Sequence, residues 1–260
     1  MILPDTKPYD LAQPYFVGMP HFPTHSPFLY GLTKVHGEIP LPDGGSSAAD
    51  VITMAGHAGT HMDALNHFSC AGKLYDGQEV VSVQSYAGGV RHLSVDKIPP
   101  IARRGVLLDV AASLGANALD ADVVITPEHL AQCNADIQPG DVVLIRTGWA
   151  QFFRDPVKYA SALRMPGVEL AGAKWLSERK PYSVGSDTLA FEHMPSPRMA
   201  VHVHLLVESG IHIIENLNLE ELSRDGIREF VFVGAPLKIE GGTGAPIRPM
   251  AFPQSTSSIR

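Results

Sequence analysis

The segment HAGTHMDALNHF, residues 57–68, limits what this chain can become more than any other stretch. Within it His57, His61 and His67 stand close to Asp63. An imidazole is costly to bury unless its nitrogens are held, and an ionised carboxylate beside it costs more still. A cation between them removes both costs. The spacing also selects the backbone. On a helix His57 and His61 share a face, but Asp63 points roughly 200° away from His61. In an extended segment His61 and Asp63 share a face, and Gly59 permits the bend that brings His57 round to join them. The motif therefore reads as the end of a strand running into a tight loop.

Two imidazoles and a carboxylate form a borderline-to-hard donor set suited to Zn²⁺, Mn²⁺ or Fe²⁺, and three protein ligands leave positions for water and substrate. The competing reading is that these are surface or hydrogen-bonded histidines in a chain that holds twelve. It gives no reason for the density of H-x3-H-x-D with His67 close behind. Cys70 and Cys133, the only cysteines, lie far apart and form no CxxC pair, so they suggest neither a disulfide framework nor a thiolate zinc site. Nitrogen and oxygen must hold any metal.

Over 260 residues, 45% hydrophobic and 18% charged, the chain can bury a substantial core, and it reads as one domain spanning 1–260. A net charge of −7 without a Lys/Arg run argues against a nucleic-acid partner. No basic n-region precedes an apolar stretch and no apolar run has membrane length, so a cytoplasmic protein with no membrane partner is expected. The 21 prolines and 24 glycines predict short elements joined by shaped loops. Residues 1–48, rich in both, read as an extended N-terminal arm lying across the core. Strands are predicted at 49–56, 104–110, 141–148, 182–186, 211–214 and 229–235, mostly β-branched or aromatic runs bounded by turns. Helices are predicted over PEHLAQCN behind a Thr126-Pro127 cap, over GVELAGAKWLSER with a stripe of Val168, Ala171, Trp175 and Leu176, and over RMAVHVHLLVES up to Gly210. Strands and helices interleave, which makes the fold class α/β.

The motif HAGTHMDALNHF resembles the HxGTHxDxxxHF signature of the metal-dependent cyclase family, which includes bacterial kynurenine formamidases and isatin hydrolases. IRTGW (145–149), VGSDT (184–188), VHVHLLVESGIHIIENLNLEEL (201–222) and APLKIEGGTGAPIRPMA (235–251) extend the resemblance over most of the chain. It implies a swivelling β/β/α fold with a mixed sheet and flanking helices, assembled as a homodimer or homotetramer. The implied reaction is hydrolysis of an amide, imide or lactone bond in a small, often aromatic, molecule. Carried over by position, His57, His61 and Asp63 match the family's first metal ligands and His67 its catalytic histidine. Glu215 matches the carboxylate of the two-metal members, and the HxxLL pattern selects His202 over the nearby His204 as the downstream ligand. Phe22 stands where the formamidases carry an aromatic residue that covers the substrate. Glu215 leans towards two ions, Zn²⁺ or Mn²⁺, with Asp63 shared between them. The overall length and the closing segment lean towards the isatin hydrolases, with one.

A bound divalent cation lowers the pKa of water from about 15.7 to about 7 and carries negative charge that develops on a carbonyl oxygen. His67, with an unperturbed pKa of about 6.5, suits a group that takes the proton and later returns it to the leaving atom. Two other functions fit parts of the pattern. His61-x-Asp63 with a distant histidine also suits the 2-His-1-carboxylate site of a non-haem iron oxygenase, which gives no task to His67 or Glu215. A non-catalytic metal- or ligand-binding module would keep the pocket without turnover. His21, His25 and His36 are expected as solvent-facing loop residues and Phe68 as core. Asp187 and Arg146 are expected either behind the site or in a structural ion pair, and the EGGTG run as a shaped turn.

Overall fold

The structure is a computed structural model that describes residues 7–253. Its frame is a nine-stranded mixed sheet in the order Tyr9–Asp10, Met250–Pro253, Glu229–Gly234, Ile101–Asp109, Val142–Arg146, Ser183–Ser186, His212–Glu215, His61–Asp63, Gly244–Pro246. Four central strands, from Ile101–Asp109 to His212–Glu215, run parallel, and the flanking strands pair antiparallel. Parallel strands covered on both faces read as continuous apolar runs, which is why VVLIR and GVLLD show no alternation. One face packs Val106, Leu108, Val143, Ile145 and Val184 against Leu130, Leu176 and Leu206 from the helical segments. The other packs Leu107, Leu144 and Ile214 against Phe230, Phe232, Leu219 and Leu222. The α/β class with a mixed sheet and flanking helices is thus as expected.

Several local expectations need correction. Only Ala49–Thr53 of the 49–56 segment is a strand, and it pairs with Leu29–Lys34 in a separate two-stranded ribbon rather than leading into the histidine motif. The arm therefore lies across the core only up to Phe28, where Leu11, Met19 and Phe28 are buried. Beyond Phe28 it projects, leaving Tyr30 50% and Ile52 54% exposed. The second predicted helix is shorter, Leu170–Ser177, because Val168 is drawn into a strand with Ile125. Its buried face is Gly172, Ala173 and Leu176, with Ala171 outside. The third is one α-turn, Ala200–His202, that widens into a π-helix, Val203–Glu208, before Gly210 closes it at φ 66°. The short strands Tyr9–Asp10, Gly244–Pro246 and Met250–Pro253 went unread because they carry too few residues for a period of two to show.

Candidate metal centre and substrate pocket

The histidine motif lies in the reverse order to the one expected. A turn over 56–60 leads into the strand His61–Asp63, so the bend precedes the extended part. Gly59 makes the bend at φ +59°, with the Tyr15 ring 2.8 Å from where a Cβ would stand. The strand His61–Asp63 is buried between two antiparallel neighbours. Register then gathers the rest: Glu215 stands opposite His61, and Gly244 opposite Asp63. A Cβ on Gly244 would lie 2.4 Å from His57 Cε1, so the glycine leaves room for that imidazole. The EGGTG run is thus a turn and an edge strand beside the cluster rather than a turn alone.

The side chains converge tightly. His57 Nδ1 donates to Asp63 Oδ1 at 2.7 Å, and His61 Nε2 lies 3.4 Å from both Asp63 Oδ1 and Glu215 Oε2. His202 Nε2 lies 3.2 Å from Glu215 Oε1 and 4.0 Å from Asp63 Oδ2. Potential ligand atoms of His61, Asp63 and Glu215 fall within 4.8 Å of one another, as do those of His57, Asp63 and His67. Asp63 belongs to both groups. His204 faces away, against Ser177 and Glu208.

Two imidazoles are held by their far nitrogen. His61 Nδ1 donates to the Gly59 carbonyl at 2.8 Å, and His202 Nδ1 donates to Glu192 Oε2 at 2.6 Å. Both therefore turn Nε2 towards the carboxylates. A lone pair facing a carboxylate is repulsive unless a proton or a cation lies between them. Without a metal the protons stay. Burial opposes charge on His61, yet hydrogen bonds to Asp63 and Glu215 raise its pKa to about 10. Burial likewise opposes charge on His202, and hydrogen bonds to Glu192 and Glu215 raise it to about 10. Glu215 is driven down to about 2 although burial works against it, because His202 and His61 donate to it. Asp63 is fully buried, yet the His67, His57 and His61 rings hold it well below the ordinary carboxylate range. Its Oδ2 has no hydrogen-bond partner. An orphaned carboxylate oxygen, a second carboxylate and three imidazoles aimed at them fit a divalent cation.

His67 behaves differently. Its ring stacks on His57 at 4.0 Å between centroids. Burial pushes its pKa down to about 3, so it is a neutral imidazole with a free lone pair rather than a group titrating near 6.5. A cavity of about 200 Å³ opens over the cluster. Phe22, Phe68, Leu189, Ala190 and Met199 make it apolar on one side, and His25, His57, His61, His67, His202 and Glu215 make it polar on the other. Phe22 thus lies at the cavity. Phe68 packs against the core, as expected, and also lines the cavity, with its ring 5.0 Å from His202. His25, expected in solvent, lines it too.

The sequence reading missed Glu192 and Thr243. Glu192 accepts from Ser196 and from both the backbone and the ring of His202, while Thr243 Oγ1 lies 2.9 Å from His57 Nε2. No local pattern marks either one. For His25 the signal was present, since it lies three residues after Phe22 in the same segment. Asp187 and Arg146 settle on the structural side. Asp187 accepts from Thr147 and Gly148, and Arg146 pairs with Asp109 and Glu220.

The sequence signature of the Cyclase family ("Putative cyclase") matches residues 9–193. The chain belongs to that family. It is 26% identical to a kynurenine formamidase of Bacillus cereus over 94% of this chain and 96% of that one. A crystal structure of a novel cyclase superposes with a TM-score of 0.88 at 30% identity, covering 96% of this chain and 88% of that one. Isatin hydrolase A from Ralstonia solanacearum shares the fold at a TM-score of 0.72 and 24% identity, over 94% of this chain and 91% of its own.

Proposed function

We propose that this cyclase-family chain is a metal-dependent hydrolase that cleaves an amide, imide or lactone bond in a compact aromatic metabolite. One observation carries the reading: two carboxylates and three imidazoles face one another under a cavity that His67, kept neutral by burial, also lines. The formamidase and isatin hydrolase relatives support amide-type substrates. A cavity of about 200 Å³ lies below the usual ligand-pocket range of roughly 300–1,000 Å³, which supports a small substrate.

His57, His61, Asp63, His202 and Glu215 would hold one or two ions, with Zn²⁺ or Mn²⁺ matching the donor set. When bound, such an ion supplies Lewis-acid polarisation of a carbonyl and an acidified water. His67 accepts the proton of the attacking water on its free lone pair and returns it to the leaving nitrogen or oxygen. Phe22, Phe68, Leu189 and Met199 hold the aromatic part and exclude bulk water. Glu192 keeps the His202 ring in the tautomer that presents Nε2.

The reading extends to the surroundings of the chain. The exposed apolar ribbon supports a homodimer or homotetramer, and a net charge of −7 supports small-molecule rather than nucleic-acid partners. Among the described residues no helix is long and apolar enough to cross a membrane, which is compatible with a cytoplasmic place. The test is metal-stripped protein resupplied with Zn²⁺ or Mn²⁺ and offered N-formylkynurenine, isatin and an unsaturated lactone. Turnover of at least one is expected, lost on stripping and regained on reloading. Turnover of none with either metal overturns the reading.

A further inference from the structure

Away from the metal centre, a serine, a histidine and a glutamate meet in sequence. His204 and Glu208 lie one turn apart on the π-helix Val203–Glu208, and Ser177 ends the helix Leu170–Ser177 that packs beside it. Glu208 Oε2 stands 2.7 Å from His204 Nδ1, and Ser177 Oγ stands 2.8 Å from His204 Nε2. A carboxylate only accepts, so Nδ1 carries the proton and Nε2 of the neutral ring presents its lone pair. Ser177 Oγ is the nearest hydroxyl that can fill it, since Ser209 Oγ lies farther off at 3.4 Å. A surface pair of His204 and Glu208 at i,i+4 needs no serine. With the serine it becomes a nucleophile, a base and an orienting carboxylate, the arrangement that activates a hydroxyl for attack on a carbonyl. Ser177 and His204 are half-buried and Glu208 is exposed, so the hydroxyl can be reached from solvent.

We propose that Ser177 is an acyl-acceptor site, modified by small activated acyl donors such as aryl esters and acyl phosphates. Ser177 Oγ bonds to the acyl carbon as its proton passes to His204 Nε2, and Glu208 holds the imidazolium that forms. The bond from the acyl carbon to the leaving oxygen then breaks with its electron pair, and His204 gives the proton to that oxygen. The products are an acyl ester on Ser177 and a phenol or a phosphate. The surroundings set the class of donor. The neighbouring amides of Glu178 and Arg179 are already given to the Lys174 and Leu176 carbonyls, so they do not wait for an oxyanion. A good leaving group must supply the driving force instead, which selects activated esters and anhydrides over amides.

The test treats the full chain, metal-loaded and metal-stripped, with p-nitrophenyl acetate and separately with acetyl phosphate, and reads each acetylated peptide by mass spectrometry. Lys174, exposed in the turn before Ser177, is the internal reference, because its amine takes the same reagents without help from His204. Hydroxylamine releases an ester from Ser177 and leaves an amide on Lys174. The expected result is a hydroxylamine-sensitive acetyl group on Ser177, formed with or without metal. Its rate relative to Lys174 should fall by about a hundredfold in His204→Ala, the loss of a general base. His204→Gln can still accept a hydrogen bond from Ser177 but cannot take its proton, and it should be as slow as His204→Ala. Glu208→Gln should cost less, about threefold, because an exposed carboxylate is screened. Acetyl groups on lysines but none on Ser177 overturn the proposal. So does a Ser177 label that survives in His204→Gln, or one that forms only with metal bound. Failure of the hydrolase reading leaves this inference standing, since the label is read on Ser177 and not as turnover.

Discussion

The strands Ala49–Thr53 and His61–Asp63 lie only a few residues apart in the chain and invert the usual rule of burial. All five residues of the first are exposed, Val51 and Ile52 among them, while all three of the second are buried, His61 and Asp63 included. Residue polarity alone does not decide which goes inside. Charged groups enter where opposite charges and hydrogen-bond donors already wait, and apolar groups stay outside where no surface has come to cover them. The buried pair is complete within one chain once a cation arrives. The ribbon leaves Tyr30, Val51 and Ile52 exposed, although an isolated two-stranded ribbon is marginal in water, and the proposed homo-oligomer would cover it.

The sharpest way to break this contrast is at its buried end. Asp63→Asn keeps the volume but removes the charge on which the three imidazoles depend. It should lower turnover by about a thousandfold or more and deplete bound metal, as read by kinetics and elemental analysis. Retention of full metal content would remove Asp63 from the centre. Behind the cluster, Glu192→Gln leaves an acceptor for His202 but takes away the carboxylate. Metal affinity should fall by about 10–100-fold in a chelator competition, and the metal-free protein should also melt lower, because Glu192 is the first support of the buried His202 charge.

The protonation pattern gives a third test. His61 and His202 have pKa values raised from 6.5 to about 10, so the stability they contribute is full below pH 6.5 and is lost as pH rises through 10. Glu215, lowered from 4.5 to about 2, contributes stability above pH 4.5 that is lost as pH falls towards 2. Metal-free protein should therefore melt highest between these limits and lose melting temperature steadily from pH 6.5 to 10. A bound divalent ion replaces the two protons, so Zn²⁺ should flatten that alkaline decline. A metal-free profile that is already flat there would contradict the argument. The smallest effect belongs to the ribbon. Tyr30→Ser with Ile52→Ser should change chain stability by no more than about 0.5 kcal/mol, as exposed substitutions do, and yet shift the assembly state seen by light scattering.

Much of the buried region was legible from residue types. The three histidines and Asp63 of residues 57–68 marked where the buried cluster forms, long apolar runs marked the parallel strands, and Pro127 and Gly210 marked helix ends. What could not be read was whatever depends on distant pairing. The order of turn and strand around His61 is set by its neighbours Glu215 and Gly244, and nothing within residues 57–68 reveals them. Glu192 lies in a proline-flanked loop whose composition looks like ordinary surface, and only the fold places it on His202. The ribbon was misread for the same reason. Its pairing with Leu29–Lys34 was hidden because an isolated strand and a central one share a composition.

The closeness of Gly244 to His57 has a consequence for the order of events during synthesis. His57 and Thr243 are 186 residues apart, so at about 5–20 residues per second the histidine segment waits on the order of ten to forty seconds for the strand that walls it in. During that interval a nascent chain would offer loose imidazoles to any passing ion. Durable capture at the proposed centre would come near the end of translation, when the strand Gly244–Pro246 shuts beside His57.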